Sequence, residues 1–228
     1  MKPAKSWICY FSPTGTSRRV AEAVGRGLNC AQTVVCDATH DAVCVAAERG
    51  DEAVFAVPVY GGHAAPLALR RLDAVRGDGT PAVVVVLYGN RAYEHAACEL
   101  ADFVAARGFV PVAAAAFVGE HSYSTARWPI AAGRPDGDDC AEAEAFGRVV
   151  AAMEPVLRRS GFAAGQKLAD LTPDTLPALT DWLTAQEKPL EEAYFAARQH
   201  TAALQRQQTE KRAELDAVSG GKWVYPHG

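Results

Sequence analysis

Residues 7–28 read WICYFSPTGTSRRVAEAVGRGL, and this stretch decides the fold. An apolar run ends in a turn of small and hydroxyl residues, and apolar side chains then recur at helical spacing. The pattern predicts a buried strand over residues 6–11 and a helix over residues 17–28. The first backbone N–H groups of such a helix have no partner within it. Together with the positive end of the helix dipole, these donors form an anion site.

The turn itself is rich in hydrogen-bond donors. Gly15 lets the chain bend and lets an anion approach the backbone. Ser12, Thr14, Thr16 and Ser17 can each donate a hydroxyl hydrogen bond. This donor set fits a phosphate monoester, which has several oxygens to satisfy. The alternative is that these residues only cap a helix, but capping explains one hydroxyl and not four.

Two other phosphate-binding loops do not match this turn. A Walker loop requires a lysine after its second glycine, and no lysine follows Gly15. A dinucleotide fingerprint requires three spaced glycines, and only one is present. Arg18 and Arg19 either reinforce the anion site or are solvated residues of the helix.

Downstream of this turn, short apolar runs alternate with helical patterns. Further strands are predicted over 32–36, 52–58, 82–88 and 109–118, and helices over 65–76, 93–107 and 138–158. Strands that alternate with helices predict an α/β fold, in which a parallel sheet has helices on both faces. Five strands fit the order 2-1-3-4-5 in a three-layer sandwich.

The chain changes character near residue 165. No strand pattern occurs beyond it, so we predict one domain over residues 1–164 and a helical C-terminal extension over residues 165–228. A long helix is predicted over residues 189–217, amphipathic in its first half and polar almost all round in its second. This helix either packs back at one end with its remainder solvated, or contacts a second subunit to form a homodimer.

Composition excludes several classes of function. The net charge is −4 and the pI about 5.9, with no basic stripe, so nucleic acid is not expected as a partner. Six cysteines occur without a C-x-x-C pair, and we expect no metal site. No apolar run approaches the ~20 residues that span a bilayer. We therefore expect a cytoplasmic protein without a membrane span.

The turn and four later segments resemble a known family. SPTGTS (12–17) is similar to the flavodoxin phosphate loop S/T-x-T-G-x-T, with Ser17 where threonine is commoner. PVYGG (58–62), YGNRAY (88–93), GEHS (119–122) and PIAAGRPD (129–136) follow in order. Over roughly residues 6–160, the chain resembles the flavodoxin half of the fused flavodoxin–ferredoxin proteins of anaerobes. The resemblance implies a flavodoxin-like domain that binds FMN.

The second half of those fused proteins carries cysteines that ligate iron–sulfur clusters, and here the chain departs from them. No cysteine follows Cys140, so residues 165–228 cannot hold such a cluster. The electron partner must then be a separate redox protein, such as a ferredoxin or a reductase, or a small-molecule donor or acceptor.

Ligands of open α/β sheets lie beyond the carboxyl ends of the strands, where the strand order reverses. With the resemblance, this placement implies a cofactor site made of Ser12, Pro13, Thr14, Gly15, Thr16, Ser17, Pro58, Val59, Tyr60, Gly61, Gly62, Tyr88, Gly89, Asn90, Arg91, Tyr93, His121 and Ser122. No residue is assigned a catalytic role or a metal.

Several of these residues have two interpretations. Tyr60 and Tyr93 are candidates for stacking on the flavin ring. Gly61 and Gly62 either allow a peptide flip that brings a carbonyl to flavin N5, or form a plain tight turn. The backbone N–H groups of Gly89 and Asn90, with the Asn90 amide, face the pyrimidine edge.

The charged residues of these loops are similarly open. Arg91 either stabilises negative charge on reduced flavin or forms a salt bridge to Glu94 or Glu120. His121 either donates a proton near the flavin or is an ordinary hydrogen-bonded histidine.

Three functions are compatible with this pattern. The first is an FMN-binding protein that carries electrons to or from a protein partner. The second is an NAD(P)H-dependent flavin or quinone reductase, which needs an open pocket over one flavin face. The third is a non-redox interaction protein on the same scaffold, although the intact phosphate turn argues against complete loss of the ligand.

Overall fold

The computed structural model describes residues 5–159. This part of the chain forms eight strands and four helices, in the order β1 (Ser6–Tyr10), α1 (Thr16–Leu28), β2 (Thr33–Asp37), β3 (Cys44–Ala47), β4 (Glu52–Tyr60), β5 (His63–Ala64), α2 (Pro66–Arg71), β6 (Ala74–Gly77), β7 (Thr80–Tyr88), α3 (Ala96–Ala105), β8 (Phe109–Val118) and α4 (Gly137–Arg159). The extension predicted for residues 165–228, with its long helix and homodimer contact, lies outside the described residues. Between residues 5 and 159, no helix is long and apolar enough to cross a bilayer.

Five strands form a parallel central sheet in the order β2-β1-β4-β7-β8. Cys9 of β1 lies opposite both Cys36 of β2 and Phe55 of β4, which fixes the register of these three strands. The short strand β5 pairs antiparallel with β4. The predicted α/β fold and the order 2-1-3-4-5 are confirmed, with β4, β7 and β8 as the third, fourth and fifth strands of the parallel sheet. This is the flavodoxin-like order.

The central strands are apolar because both of their faces are covered. Residues 53–57 of β4 and 82–87 of β7 are buried without interruption. A strand that is covered on both faces has no need for polar alternation. The edge strand β2, in contrast, alternates between exposed and half-buried residues.

One face of the sheet packs against α1 and α4. Val54 of β4 and Val85 of β7 join Val20 and Val24 of α1 and Val150 of α4 in one buried cluster. Each such aliphatic side chain contributes about 1.5–3 kcal/mol when fully buried. This packing holds α1 against the sheet next to β1, the strand that precedes it in the chain.

The other face packs against α2, α3 and a second, two-stranded sheet. Phe55 and Val84, each adjacent in sequence to a residue of the first cluster, pack in a cluster that contains Leu100 of α3. The same cluster contains Leu72 and Val75, which are fully buried. Since neighbouring residues of a strand point to opposite faces, the two clusters are the two sides of a three-layer sandwich.

The prediction of a helix over residues 65–76 is wrong for the second half of that range. Helix α2 ends at Arg71, and residues 74–77 form β6, which pairs in parallel with β3. Leu72 and Val75 are spaced as on a helix face, but a turn followed by a strand buries them equally well. In the structure Val75 pairs with Val45 of β3, so a strand pair occupies part of this face. The other elements predicted between residues 5 and 159 are found with boundaries shifted by a few residues.

Helices α1 and α4 approach each other through glycines. A Cβ atom at Gly147 of α4 would overlap the carbonyl oxygen of Val24, and one at Gly27 of α1 would overlap the carbonyl oxygen of Glu144. The two backbones are therefore in direct contact. No rotation of a side chain can relieve an overlap with a main-chain atom.

We expect Gly147→Ala to lower the free energy of unfolding by about 1–3 kcal/mol, the usual cost of overpacking. This loss outweighs the gain of about 1 kcal/mol from replacing a glycine inside a helix. Urea unfolding followed by circular dichroism measures the change. Gly137→Ala is the matched control, because a Cβ at Gly137 meets no atom within 4 Å. An equal loss at both glycines would contradict the contact between the helices.

Candidate functional site

The turn between β1 and α1, residues 12–17, is closed by Ser12. Gly15 precedes α1 with a φ of 80°, a left-handed conformation that favours glycine. Its N–H donates to the Ser12 carbonyl oxygen at 3.1 Å. The Ser12 hydroxyl oxygen accepts from the N–H of Arg18, the third residue of α1, at 3.0 Å. Ser12 is thus the one hydroxyl residue of this turn that acts as a helix cap.

Most of the other donors of the turn have no partner, and the exception is the hydrogen bond between the hydroxyls of Thr14 and Thr16. Within residues 5–159, the N–H groups of Thr14, Thr16 and Ser17 have no acceptor. The Ser17 side chain is fully buried, and its hydroxyl has no hydrogen-bond partner in the same part of the chain. The hydroxyl oxygens of Thr14 and Thr16 lie 3.3 Å apart. Since a buried polar atom without a partner is costly, a ligand with acceptor oxygens at this turn would be favoured by these donors.

Two glycines bring the later loops onto this turn. The Cβ position of Gly119, at the end of β8, lies 3.4 Å from Cβ of Thr16, and the Gly119 N–H donates to the Tyr88 carbonyl oxygen at 2.9 Å. A Cβ at Gly89 would overlap the ring of His121. The carboxyl ends of β1, β7 and β8 therefore meet at one edge of the sheet.

The loop after β4 is a two-residue hairpin. Gly61 and Gly62 have φ values of 61° and 86°, as in a type I′ turn, and Tyr60 pairs with His63 across it. The Gly62 carbonyl oxygen accepts from the His95 N–H at 3.0 Å, which joins this hairpin to the loop after β7. The Gly61 carbonyl oxygen has no donor within the described residues. The tight turn is observed, and the peptide flip at Gly61 stays a prediction.

Pro58, Val59 and Tyr60 end β4 beside this hairpin. Pro58 and Val59 are half-buried, and Tyr60 is 49% exposed. The Pro58 carbonyl oxygen accepts from the Ala65 N–H at 3.0 Å, so the backbone of this segment is fixed. The Tyr60 ring is free to pack against a ligand.

The loop after β7 presents its polar groups to solvent. Asn90 has a left-handed φ of 61° and is exposed. Arg91 is exposed and has no hydrogen bond or ion pair to any residue between 5 and 159, so the predicted salt bridge to Glu94 or Glu120 is not formed there. Tyr93 is 43% exposed, and its ring meets that of Tyr88 edge-on with centroids 5.4 Å apart.

Glu120 is occupied within its own loop. Its carboxylate accepts from the Gly133 N–H at 3.0 Å, and this bond, with one from Ser124, lowers the pKa of Glu120. The Glu120 N–H donates to the Arg134 carbonyl oxygen at 2.8 Å. Arg134 forms an ion pair with the buried Asp139 of α4. The loop after β8 is thus tied to a helix rather than to Arg91.

His121 is fixed by its own loop. Its Nδ1 accepts from the Tyr123 N–H at 3.0 Å, and the two rings lie 5.1 Å apart. A neutral imidazole with an accepting Nδ1 carries its proton on Nε2. Ser122 beside it is exposed. His121 lies against Gly89, and its place in the cofactor site and its role as a proton donor stay predictions.

Two contacts near the candidate site were not predicted from the sequence. Thr39, in the loop after β2, accepts from the Ser12 N–H through its hydroxyl oxygen at 3.0 Å. A signal was present, since strand 2 neighbours strand 1 in the predicted order and its loop must lie beside the turn. His63 Nδ1 lies 2.5 Å from Oε1 of Glu99, on α3. No sequence pattern indicates a contact between residues so far apart.

The site contains no arrangement that suggests a metal. Between residues 5 and 159, no three His, Cys, Asp or Glu side chains are grouped so as to hold a metal ion. None of the six cysteines, which all lie within residues 5–159, forms a disulfide. The donors that the structure gathers at the β1–α1 turn are N–H and O–H groups, which bind anions.

No protein-family profile and no curated protein matches the chain. Similar solved structures include the metal-soaked Flv1 flavodiiron core from Synechocystis sp. PCC6803, which is 16% identical with a TM-score of 0.47; the match covers 68% of this chain and 37% of that one. Another is oxidised flavodoxin 1 from Bacillus cereus, at 16% identity and a TM-score of 0.46, covering 65% and 97% of the two chains. A third is a Fusobacterium nucleatum flavodoxin variant bound to flavin mononucleotide, at 13% and 0.43, covering 66% and 96%.

The chain thus spans 37% of the length of the flavodiiron core and nearly the whole length of the flavodoxins. At these identities and TM-scores, the similarity adds no argument about ligand or activity. The fold assignment depends on the strand order and the helical layers described above.

The pair of His63 and Glu99 predicts a measurable pH response. The hydrogen bond that His63 donates to the Glu99 carboxylate is the main cause that raises the pKa of His63, and the same bond lowers the pKa of Glu99. The His63 contribution to stability is complete below about pH 6.5, the ordinary histidine pKa, and is lost as pH rises through the folded-state value. The Glu99 contribution is complete above about pH 4.3 and is lost as pH falls through its lowered value.

We therefore expect Glu99→Gln to lower the pKa of His63, measured by NMR titration of its ring protons. Glu94→Gln is the control, because Glu94 raises the pKa of His63 only as a minor cause. Glu94→Gln should lower the pKa of His63 by less than Glu99→Gln does. A His63 titration that is identical in wild type and Glu99→Gln would exclude the pair in solution.

Proposed function

We propose that this chain is an FMN-binding redox protein that carries electrons to or from a separate protein partner. One observation supports the proposal above all: the fully buried Ser17 hydroxyl lacks a partner within residues 5–159, and so do the nearby N–H groups of Thr14, Thr16 and Ser17. In an open α/β sheet this turn lies at the point where the strand order reverses, which is where such folds bind ligands.

The chemistry of the turn favours a phosphate monoester over a nucleotide triphosphate. Its donors are neutral, and it contains no lysine. The neighbouring Arg18 guanidinium is engaged by Glu22 at 2.7 Å. A monoester has several oxygens on one phosphorus, so a ring of N–H and O–H donors satisfies it without a bound cation.

The other loops supply a second, aromatic half of the site. Tyr60 and Tyr93 would pack against the isoalloxazine ring, and Asn90 would donate to its pyrimidine edge. Arg91, which has no ion-pair partner in the described chain, would stabilise negative charge there. When bound, FMN supplies the electron-transfer chemistry. These residues orient it and set the charge around it.

The first test is ligand binding by the purified chain, followed by quenching of flavin fluorescence. We expect FMN to bind much more tightly than riboflavin, because only FMN carries the phosphate. Ser17→Ala should weaken FMN about tenfold or more, as expected for a hydrogen bond to a charged group, and leave riboflavin unchanged. The ligand-free variant should be no less stable than wild type, since it loses a buried hydroxyl without a partner.

Ser6→Ala is the matched control for this variant. Ser6 is also fully buried with a hydroxyl that has no partner within residues 5–159, but it begins β1, at the end of the strand away from the turn. Its replacement should leave both ligands unaffected. If Ser17→Ala weakened the binding of FMN and riboflavin equally, the placement of the FMN phosphate at this turn would be wrong.

A second measurement separates a carrier from a reductase. As a carrier, the FMN-loaded protein should oxidise NAD(P)H slowly and show two well-separated one-electron potentials in a reductive titration. Rapid NAD(P)H-dependent reduction of a quinone, with a single two-electron step, would instead identify the NAD(P)H-dependent reductase.

A further inference from the structure

We infer that Arg71 of α2, acting through Thr39, is a positioning residue for the β1–α1 turn and thereby sets its affinity for a phosphate-bearing ligand. The inference rests on the proposed function, in which FMN places its phosphate at this turn. Neither residue belongs to the turn or to the strands that flank it. Three contacts connect them to it.

The first contact joins Thr39 to the start of the turn. The Ser12 N–H donates to the Thr39 hydroxyl oxygen at 3.0 Å, while the Ser12 hydroxyl oxygen accepts from the Arg18 N–H at 3.0 Å. Ser12 is buried. Thr39 therefore holds the residue that in turn orients the first N–H groups of α1.

The second contact joins Arg71 to Thr39. The Arg71 guanidinium donates to the carbonyl oxygens of Ala38, at 3.3 Å, and of Thr39. From the other side, the Thr39 N–H donates to Oδ1 of Asp37 at 2.8 Å. The loop after β2 is thus fixed by both a side chain of α2 and the last residue of β2.

The third contact reaches the turn without Thr39. The Arg71 guanidinium lies 5.6 Å from the ring centroid of Phe11, the buried residue immediately before Ser12. The Phe11 N–H donates to the Ala56 carbonyl oxygen of β4 at 3.1 Å. One cationic side chain thus contacts both the residue that precedes the turn and the loop whose Thr39 hydroxyl binds the turn.

The test compares FMN and riboflavin affinities of Arg71→Met, Thr39→Val and the double variant with wild type. Each single variant should weaken FMN about fivefold, the loss expected for one net hydrogen bond, and leave riboflavin within about twofold. The double variant should bind FMN only slightly more weakly than Arg71→Met does, because Arg71 acts on the turn largely through Thr39. Thr39→Ser keeps the hydroxyl and should restore wild-type affinity. A purely structural defect would weaken both ligands alike.

Arg70→Met is the matched control. Arg70 is the exposed neighbour on α2, and its side chain has no hydrogen bond or ion pair to the described residues. It should bind FMN as wild type does. If Arg71→Met does not fold, Thr39→Val carries the same expectation, since it removes one hydroxyl from a half-buried loop.

A second readout needs no ligand. Amide hydrogen exchange at Ser12 should be faster in Thr39→Val and in Arg71→Met than in wild type, because each loses part of what orders that N–H. Unchanged exchange at Ser12 in both variants would overturn the inference.

The affinities also separate this inference from the proposed function. If wild type prefers FMN, Thr14→Val abolishes the preference, and Arg71→Met and Thr39→Val bind FMN normally, the positioning role is wrong and the function stands. If wild type does not prefer FMN over riboflavin, the proposed function fails and the role of Arg71 fails with it.

Discussion

The structure depends on how β1 passes into α1. A strand that feeds a helix through so short a turn must reverse direction at one residue, and Gly15 does so with a left-handed backbone. Ser12 supplies the one side-chain oxygen of the turn that caps the helix, and the N–H groups of Thr16 and Ser17 have no acceptor within residues 5–159. The anion binding proposed for this turn would therefore follow from chain reversal and not from a charged side chain.

The remaining loops acquire their positions from the sheet. In a parallel sheet all carboxyl ends lie at one edge, so the segments after β1, β4, β7 and β8 are neighbours whatever their sequences. Small residues then determine how closely they approach, as at Gly89 against His121 and Gly119 against Thr16. The loop after β8 is the longest of them, and its ion pair to α4 through Arg134 and Asp139 gives it a fixed base.

The sequence was sufficient for the features that follow from local pattern. The strand order, both helical layers and the hydroxyl-rich turn could be predicted, because burial of Val83–Val86 on both faces and the helical spacing after Gly15 have single interpretations. The strand pair β3–β6 could not, because Leu72 and Val75 satisfy a helix and a turn–strand unit alike.

Contacts between segments that are distant in the chain could not be predicted from the sequence either. His63 and Glu99 meet only because β5 lies beside α3, and Arg71 reaches Thr39 only because α2 ends beside the loop after β2. The sequence also left two roles open for Arg91. Neither of the ion pairs considered for Arg91 forms within residues 5–159. Glu120 is instead bonded within its own loop.

The main-chain contact between α1 and α4 at Gly27 and Gly147 has a consequence for selectivity. Because α1 rests directly on the backbone of α4, we expect the amides that begin α1 to be ordered without a ligand, so that little conformational entropy would be lost there on binding. Any change of shape that fits the site to different ligands would then occur in the Gly61–Gly62 hairpin and in the loop after β7. One end of the site would recognise a common anionic group, and the other would discriminate among the rings attached to it.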